Sequence, residues 1–201
     1  MSIQNVEKYT SQNPIARFLI SNFFKQMDSL LSTATFDSIY EAGCGDGFVT
    51  EYLYSNFPVS DYTASDIDPA EIEAAAKRMP SVNYIQESIY HLAAKSDSFD
   101  MVIASEVLEH LEAPEAALQE LGRISRKYVF VSVPREPIWR ILNMARGKYW
   151  SALGNSPAHI QHWSAKRFHK LLQKHFDIIA TREPLPWLMV LCRIRNPGFE
   201  S

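Results

Sequence analysis

The 201-residue chain has little of what marks several classes of protein. It has only two cysteines, Cys44 in a glycine-rich stretch and Cys192 in a late apolar stretch, so we expect no disulfide framework. Its formal net charge of -3 provides no overall positive field for nucleic acid. No apolar run approaches the length of a membrane span, and the first residues lack the apolar core of a signal peptide. We therefore expect a cytoplasmic protein and do not favour nucleic acid as its partner.

The residues that are present suit one globular unit. Apolar residues make up 46% of the chain and charged residues 21%, which is ordinary for a globular protein. A chain of this length can bury a sizeable core. We predict a single domain over residues 1–201, with an N-terminal helix within residues 1–35 and an inserted segment at residues 134–163.

From residue 36 onward, apolar runs typical of strands alternate with helical patterns. The predicted strands lie near residues 36–42, 61–66, 82–87, 99–105, 127–133, 176–183 and 187–195. The predicted helices lie near residues 47–55, 69–78, 114–124 and 164–174, and Asn13-Pro14 begins an earlier one. Alternation of this kind predicts an α/β fold, with a mostly parallel sheet and helices on both of its faces.

A glycine-rich turn follows the first predicted strand, in the stretch Glu41-Ala-Gly43-Cys44-Gly45-Asp-Gly47. Glycines at this spacing let the chain turn tightly from strand to helix and let a ligand lie against bare backbone. The order is Gly-x-Gly-x-Gly, whereas pyrophosphate-binding turns have Gly-x-Gly-x-x-Gly. The difference points away from a dinucleotide and toward S-adenosylmethionine.

This stretch resembles motif I of the class I S-adenosylmethionine-dependent methyltransferases. Residues 62–69 resemble the second strand of that family, which ends in an acidic residue, here Asp66, that binds both ribose hydroxyls. Residues 82–89 resemble the third strand and the adenine turn, with Ser88 where many members have Asp, and residues 99–111 resemble the fourth strand. The resemblance implies a Rossmann-like, doubly wound, seven-stranded sheet and an S-adenosylmethionine-dependent methyltransferase, with a lid over the cofactor formed by the N-terminal helix.

The resemblance also implies which residues bind the cofactor. They are Glu41, Gly43, Cys44, Gly45, Gly47, Asp66, Ile67, Ser88 and Ser105. The alternative is a plain strand-to-helix turn, with Asp66 only capping the helix that begins at Pro69.

Candidate catalytic groups follow the fourth strand. Glu106, Glu109 and His110 stand at positions i, i+3 and i+4, which share one face of a helix. The run resembles the metal-binding set of small-RNA 2′-O-methyltransferases and of ubiquinone-pathway O-methyltransferases. That resemblance implies Mg²⁺, Mn²⁺ or Zn²⁺ held by Glu106, Glu109, His110 and His159. Two alternatives stay open: His110 or His162 acts as a metal-free base, with Glu109 orienting His110, or these residues only position the acceptor.

The short chain and the aromatic segment after the fifth strand favour a small-molecule acceptor, such as a natural product, lipid or glycan intermediate. We expect methylation of oxygen first and of nitrogen second. Residues 135–150 also carry arginines among aromatics, so contact with a membrane surface is a minority interpretation. The alternatives from other classes are a metal-assisted RNA-terminal 2′-O-methyltransferase and a catalytically idle, cofactor-binding partner protein.

Overall fold

The computed structural model describes residues 12–138 and 159–195. Within them lies one seven-stranded sheet, ordered β3-β2-β1-β4-β5-β7-β6. The first five strands pair in parallel, and β7 runs antiparallel to both β5 and β6. The strands are β1 (Ser38–Ala42), β2 (Asp61–Asp66), β3 (Asn83–Gln86), β4 (Phe99–Ser105), β5 (Ser125–Pro134), β6 (Phe176–Arg182) and β7 (Trp187–Ile194). The predicted seven-stranded, mostly parallel sheet is confirmed.

Most helices begin at residues that suit the first turn. Asn13 and Asp68 accept backbone N–H bonds at 2.9 and 2.8 Å ahead of α1 and α3, each followed by a proline. Ser164 does the same at 3.4 Å ahead of α5. The helices are α1 (Pro14–Leu31), α2 (Phe48–Asn56), α3 (Pro69–Arg78), α4 (Pro114–Ile124) and α5 (Ala165–Leu172), with a 3₁₀ turn at Leu108–His110.

The sheet is covered by helices on both faces, as predicted. Leu121 of α4 and Phe168 of α5 pack on the face that contains Val129 of β5. Met27 of α1 and Leu53 of α2 pack on the opposite face. Because each fully buried aliphatic or aromatic side chain stabilises the fold by about 1.5–3 kcal/mol, these two layers hold the sheet rigid beneath its loops.

Helix α1 is a core element from Phe23 onward. Phe23 and Met27 are fully buried, and the Phe23 ring meets Trp187 edge-on at a centroid distance of 4.9 Å. Ile15 and Phe18, nearer its start, are each 70% exposed. The lid function expected of this helix stays a prediction. Of the predicted insertion at 134–163 and the membrane-contacting segment at 135–150, residues 139–158 lie outside the described residues.

Since β1 to β5 are parallel, their carboxyl ends lie along one edge of the sheet, which we call the ligand edge. Ala42, Asp66, Gln86, Ser105 and Pro134 mark it. In open α/β sheets, ligands bind outside this edge. No helix in the described parts of the chain is long and apolar enough to cross a membrane.

Candidate functional site

The glycine turn is tied to the end of β2. The backbone N–H groups of Gly43 and Cys44 both donate to the carbonyl of Ser65, at 2.7 and 2.9 Å. The N–H of Gly45 donates to Asp66 Oδ2 at 2.9 Å, and the N–H of Asp68 donates to Asp66 Oδ1 at 3.0 Å. The predicted glycines and Asp66 therefore form one connected unit at the ligand edge.

Two glycines of the turn are required by packing as well as by backbone conformation. Gly43 has φ 78°, and a Cβ there would lie 2.5 Å from Val107 Cγ2. Gly47 has φ 82°, and a Cβ there would lie 2.9 Å from the backbone of Ala75 in α3. A side chain at either position would meet both left-handed strain and a clash.

Glu41 lies beneath the turn, at the end of β1, and is 1% exposed. Thr50 and Tyr62 donate hydroxyl hydrogen bonds to its Oε2, at 2.7 and 2.8 Å. Burial raises the pKa of Glu41 to about 7, although these two hydrogen bonds oppose the shift. The carboxyl can therefore take up or release a proton near neutral pH. Thr50 and Tyr62 were not predicted as site residues, because nothing in the local pattern distinguishes them from core positions.

Cys44 is 7% exposed, and burial raises the pKa of its thiol above the ordinary value. The thiol is neutral at physiological pH and is not a nucleophile. The backbone N–H of Cys44 is already bonded to the carbonyl of Ser65. The predicted contact of Cys44 with a cofactor stays a prediction.

The part of the ligand edge predicted to bind adenine contains an exposed apolar side chain and a tight turn. Ile67 follows Asp66 directly and is 68% exposed. Ser88 begins a turn in which its Oγ accepts from the N–H of Tyr90 at 3.4 Å and its carbonyl accepts from His91 at 2.9 Å. The carboxylate of Glu87 faces inward and accepts from the Tyr40 hydroxyl and from the Ala93 N–H. Ser88 and Ile67 thus follow closely the ends of two neighbouring strands, β3 and β2.

Glu106 does not lie on a helix, so the prediction that Glu106, Glu109 and His110 share one helical face is wrong. Glu106 has φ 60°, and the 3₁₀ turn begins only at Leu108. Its N–H donates to the carbonyl of Ser132 at 3.0 Å, which continues the β4–β5 pairing one residue beyond Ser105. The group of possible metal ligands that converges among the described residues consists of Glu109, His110 and His159 and does not contain Glu106.

The Glu106 carboxylate instead joins a polar network at the ends of three strands. Trp187 Nε1 of β7 donates to Oε2 at 2.7 Å, and Ser132 Oγ of β5 lies 3.5 Å from Oε1. Ser105, predicted as a cofactor contact, shares a 3.0 Å hydrogen bond with Ser132. Ser132 and Trp187 were not predicted as site residues, since only the sheet order places β5 next to β4 and β7 next to β5.

Glu109, His110 and His159 come together as predicted. Each offers one ligand atom, and these atoms lie within 4.8 Å of one another. Glu109 is buried, and its carbonyl accepts from the N–H groups of Ile160 and Gln161 at 2.9 and 3.0 Å. These two bonds hold the later segment against the 3₁₀ turn. A buried carboxylate beside two imidazoles is a donor set that suits Zn²⁺, Mn²⁺ or Fe²⁺.

His162 lies apart from this cluster. Its Nδ1 is 3.5 Å from Glu136 Oε1, and its side chain is 35% exposed. Glu136, just beyond β5, was not predicted as a site residue. A carboxylate beside an imidazole can fix its tautomer and support it as a base. The structure therefore offers two separate histidine arrangements.

The fold and this edge of the sheet define a class of protein: a doubly wound α/β domain with a glycine turn and a following acidic residue at the edge where ligands bind in such sheets. Residues 40–131 match the family described as "Methyltransferase domain". The chain has the fold of the class I S-adenosylmethionine-dependent methyltransferases, and the matched residues 40–131 make up just under half of it.

A curated relative is the malonyl-[acyl-carrier protein] O-methyltransferase of Paenibacillus sp. (strain JDR-2), which is 34% identical over 101 residues. That match covers 47% of this chain and 37% of the relative, so the chain spans little more than a third of that protein's length.

Two solved structures share the fold, and both contain S-adenosylhomocysteine. The magnesium protoporphyrin IX methyltransferase of Synechocystis PCC 6803 has a TM-score of 0.70 at 16% identity, over 96% of this chain and 92% of that one. The N-methyltransferase NodS of Bradyrhizobium japonicum WM9 has a TM-score of 0.67 at 18% identity, over 92% and 90% of the two chains. At these identities the likeness shows the fold.

Proposed function

We propose that this chain transfers a methyl group from S-adenosylmethionine to an oxygen, or as second choice a nitrogen, of a small-molecule acceptor. The observation that carries the proposal is the unit formed by the glycine turn and Asp66 at the ligand edge, where Gly45 N–H meets the Asp66 carboxylate at 2.9 Å. The family match and the S-adenosylhomocysteine in two structural neighbours support the same cofactor.

The residues present fit that cofactor. Each Asp66 oxygen accepts one backbone bond and retains a second lone pair, so the carboxylate can also accept from two ribose hydroxyls. Ile67, exposed beside it, offers an apolar surface for a flat base. The bare backbone of Gly45 lets a ligand approach closely. Glu41 beneath the turn favours a positively charged ligand when its carboxyl is ionised, which its pKa of about 7 allows near neutral pH.

The cofactor supplies an electrophilic methyl group on a sulfonium. The chain would align the acceptor opposite the sulfur and exclude water. A hydroxyl acceptor must lose a proton, which His110 or His162 would accept at an imidazole nitrogen, with Glu109 or Glu136 orienting the ring. A carboxylate acceptor needs no base, because its oxygen already carries the attacking lone pair. The acceptor therefore decides whether these histidines matter.

The names of curated relatives support an oxygen acceptor. Several are malonyl-[acyl-carrier protein] O-methyltransferases, and another is a probable phthiotriol/phenolphthiotriol dimycocerosates methyltransferase. We propose an acyl carboxylic acid held on a carrier as the acceptor to test first, followed by hydroxylated lipids. Methylation of amines alone would move the assignment to nitrogen.

Calorimetric titration with S-adenosylhomocysteine tests the cofactor proposal. We expect micromolar binding by the native chain and a loss of ten- to a hundredfold in Asp66→Ala, about 1.5–3 kcal/mol for charge-assisted hydrogen bonds. Asp61→Ala, at the exposed start of the same strand, is the matched control and should bind normally. No binding by the native protein would overturn the proposal. Binding without transfer to any acceptor in a broad panel would favour the idle partner protein.

A metal-assisted reaction is a second candidate, favoured by the cluster of Glu109, His110 and His159. These three residues would hold a divalent ion and leave coordination positions open for an acceptor with two adjacent oxygens, such as a catechol or a terminal ribose diol. An ion there would lower the pKa of the acceptor hydroxyl.

Cobalt(II) is a direct probe of this cluster, because a cobalt ion bound by imidazole and carboxylate has visible absorption bands that differ from those of aqueous cobalt. We expect a stoichiometric band that is lost in His159→Ala and kept in Glu106→Gln, since Glu106 lies outside the cluster. A spectrum that is the same with and without His159 would remove the metal from the proposal.

A further inference from the structure

The segment around α5 has a charge opposite to that of the chain. Residues 159–175 contain Lys166, Arg167, Lys170 and Lys174 and no Asp or Glu, although the formal net charge of the chain is -3. A concentration of one sign on an oppositely charged protein creates a local field that can attract a charged partner. The overall charge of the chain therefore does not explain the positive charge of this segment.

Three of these cations form one exposed face of α5, which we call the basic face: Lys166, Arg167 and Lys170. Their spacing of three and four residues places them side by side, while Phe168 and Leu172 are fully buried on the other side. Lys174 is different, because it pairs with Glu115 at 2.7 Å. Among the described residues, no carboxylate lies within ion-pair distance of the three cations of the basic face.

Helix stability does not explain this arrangement. Lys166 and Arg167 lie in the first turn of α5, which has no acidic residue. The positive end of the helix dipole opposes cations there by about 0.3–1 kcal/mol each. Arg167 also takes the third position after the Ser164 cap, where Glu or Gln would complete a capping box. A local rule broken without structural gain is typical of a functional position.

The basic face begins beside the acceptor side of the site. Trp163, directly before the Ser164 cap, forms a parallel bridge with Arg135 at the end of β5, and Glu136 N–H donates to its carbonyl at 3.1 Å. His162 and His159, the candidate base and metal ligand, lie just before it. A partner held on the basic face would therefore sit next to the carboxyl ends of β4 and β5.

We propose that the basic face of α5 docks an acidic carrier protein that holds the acceptor as a thioester. The inference rests on the proposed function. Opposite charge would steer the carrier to this side of the domain and fix its orientation, while the flexible thioester arm reaches the ligand edge. The free carboxylate oxygen of the acyl group forms the new O–CH₃ bond as the S–CH₃ bond of the cofactor breaks, with its electron pair remaining on sulfur. No proton moves, and the thioester stays intact.

A comparison of two substrates with the same acyl group tests this inference. The probes are the malonyl thioester of a purified acyl carrier protein and malonyl-pantetheine, which lacks the protein. With labelled S-adenosylmethionine, we expect kcat/KM to be at least tenfold higher for the carrier form at 50 mM NaCl, and the preference to shrink at 300 mM because salt screens exposed charges.

Charge reversal locates the docking surface. In the triple variant Lys166→Glu, Arg167→Glu, Lys170→Glu, kcat/KM should fall at least tenfold for the carrier form and less than twofold for malonyl-pantetheine. The matched control is Lys25→Glu, Lys95→Glu, Arg193→Glu, which changes the charge equally at exposed positions on other elements and should stay within twofold of native. Should the reversed α5 not fold, the Gln triple at the same positions replaces it, with affinity for S-adenosylhomocysteine as the check on folding.

The outcomes separate this inference from the proposed function. Equal kcat/KM for both substrates, or an equal fall in kcat/KM in the α5 and control variants, would overturn the docking surface. Either result would leave the proposed methyltransferase function standing. Binding to phosphatidylglycerol vesicles that depends on the three cations, without preference for the carrier, would assign the face to a membrane instead. A native chain that fails to bind S-adenosylhomocysteine would overturn the proposed function itself.

Discussion

At Gly43, backbone conformation and side-chain packing both exclude a side chain. We expect Gly43→Ala to lower the free energy of unfolding by about 2–5 kcal/mol, from left-handed strain and from the 2.5 Å approach to Val107 Cγ2. Urea denaturation of Gly43→Ala, Val107→Ala and the double variant separates the two causes. In the double variant the clash is relieved and the strain remains, so we expect a favourable coupling of at least about 1 kcal/mol. Strictly additive losses would show that Val107 is not the obstacle.

The raised pKa of Glu41 makes stability depend on pH in a definite direction. Its folded-state pKa of about 7 lies above the ordinary value of 4.5, so the folded state binds the proton more tightly than the unfolded state does. The stabilisation from this group is complete below about pH 4.5, declines as pH rises, and is lost above about pH 7. Unfolding free energies at a series of pH values from 5 to 8 should show that decline.

Glu41→Gln should flatten the pH dependence, because an amide does not titrate and its oxygen can still accept from Thr50 and Tyr62. One pKa unit corresponds to about 1.36 kcal/mol. The difference in free energy of unfolding between the native protein and the variant should therefore change by about 3 kcal/mol between pH 5 and pH 8. Glu73→Gln on the exposed side of α3 provides the control. Parallel curves for native and Glu41→Gln would place the titration elsewhere.

At the scale of elements, the polar network at the ends of β4, β5 and β7 joins strands that are far apart in the chain. We expect Trp187→Phe to lower the free energy of unfolding by about 1–3 kcal/mol, because the hydrogen bond from the indole N–H to Glu106 Oε2 is lost while the ring contact with Phe23 is largely kept. Thermal denaturation of Trp187→Phe, Glu106→Ala and the double variant measures the coupling, because alanine removes the acceptor. If the double variant loses as much stability as the two single variants together, the hydrogen bond between Trp187 and Glu106 contributes no stability of its own.

Elements with strong local signals were predictable from the sequence. The strands and helices fall within a few residues of their predicted bounds, since periodicity, prolines and caps are local properties. The helical face for Glu106, Glu109 and His110 was wrong, because a long-range bond from Glu106 N–H to Ser132 sets the backbone there. Trp187 and Ser132 were missed for a related reason: the contact of Ser132 with Glu106 depends on the pairing of β4 with β5, and that of Trp187 depends on β7 lying between β5 and β6.

At the scale of the whole molecule, the two edges of the sheet carry different kinds of charge arrangement. The ligand edge gathers carboxylates around the glycine turn, whereas the opposite edge is closed by the buried carboxylate of Asp100. Arg126 and Lys127 at the start of β5 bond to its two oxygens at 2.8 and 3.0 Å, and the Asp37 N–H ahead of β1 adds a third bond at 3.1 Å. Asp100 thus links three neighbouring strands away from the site.

This linkage predicts how the fold responds to acid. Burial alone would raise the pKa of Asp100, but the hydrogen bonds from Lys127, Arg126 and Asp37 outweigh it and hold the pKa below its ordinary value. Its contribution to stability is therefore present above about pH 4 and lost as pH falls further. Asp100→Asn should destabilise the protein by about 1–3 kcal/mol at pH 7, with a difference from native that shrinks toward pH 3, while affinity for S-adenosylhomocysteine at pH 7 stays within twofold. A weakened affinity in a folded Asp100→Asn protein would show that the far edge is coupled to the glycine turn, whereas unchanged affinity would separate the support of the sheet from the chemistry at its ligand edge.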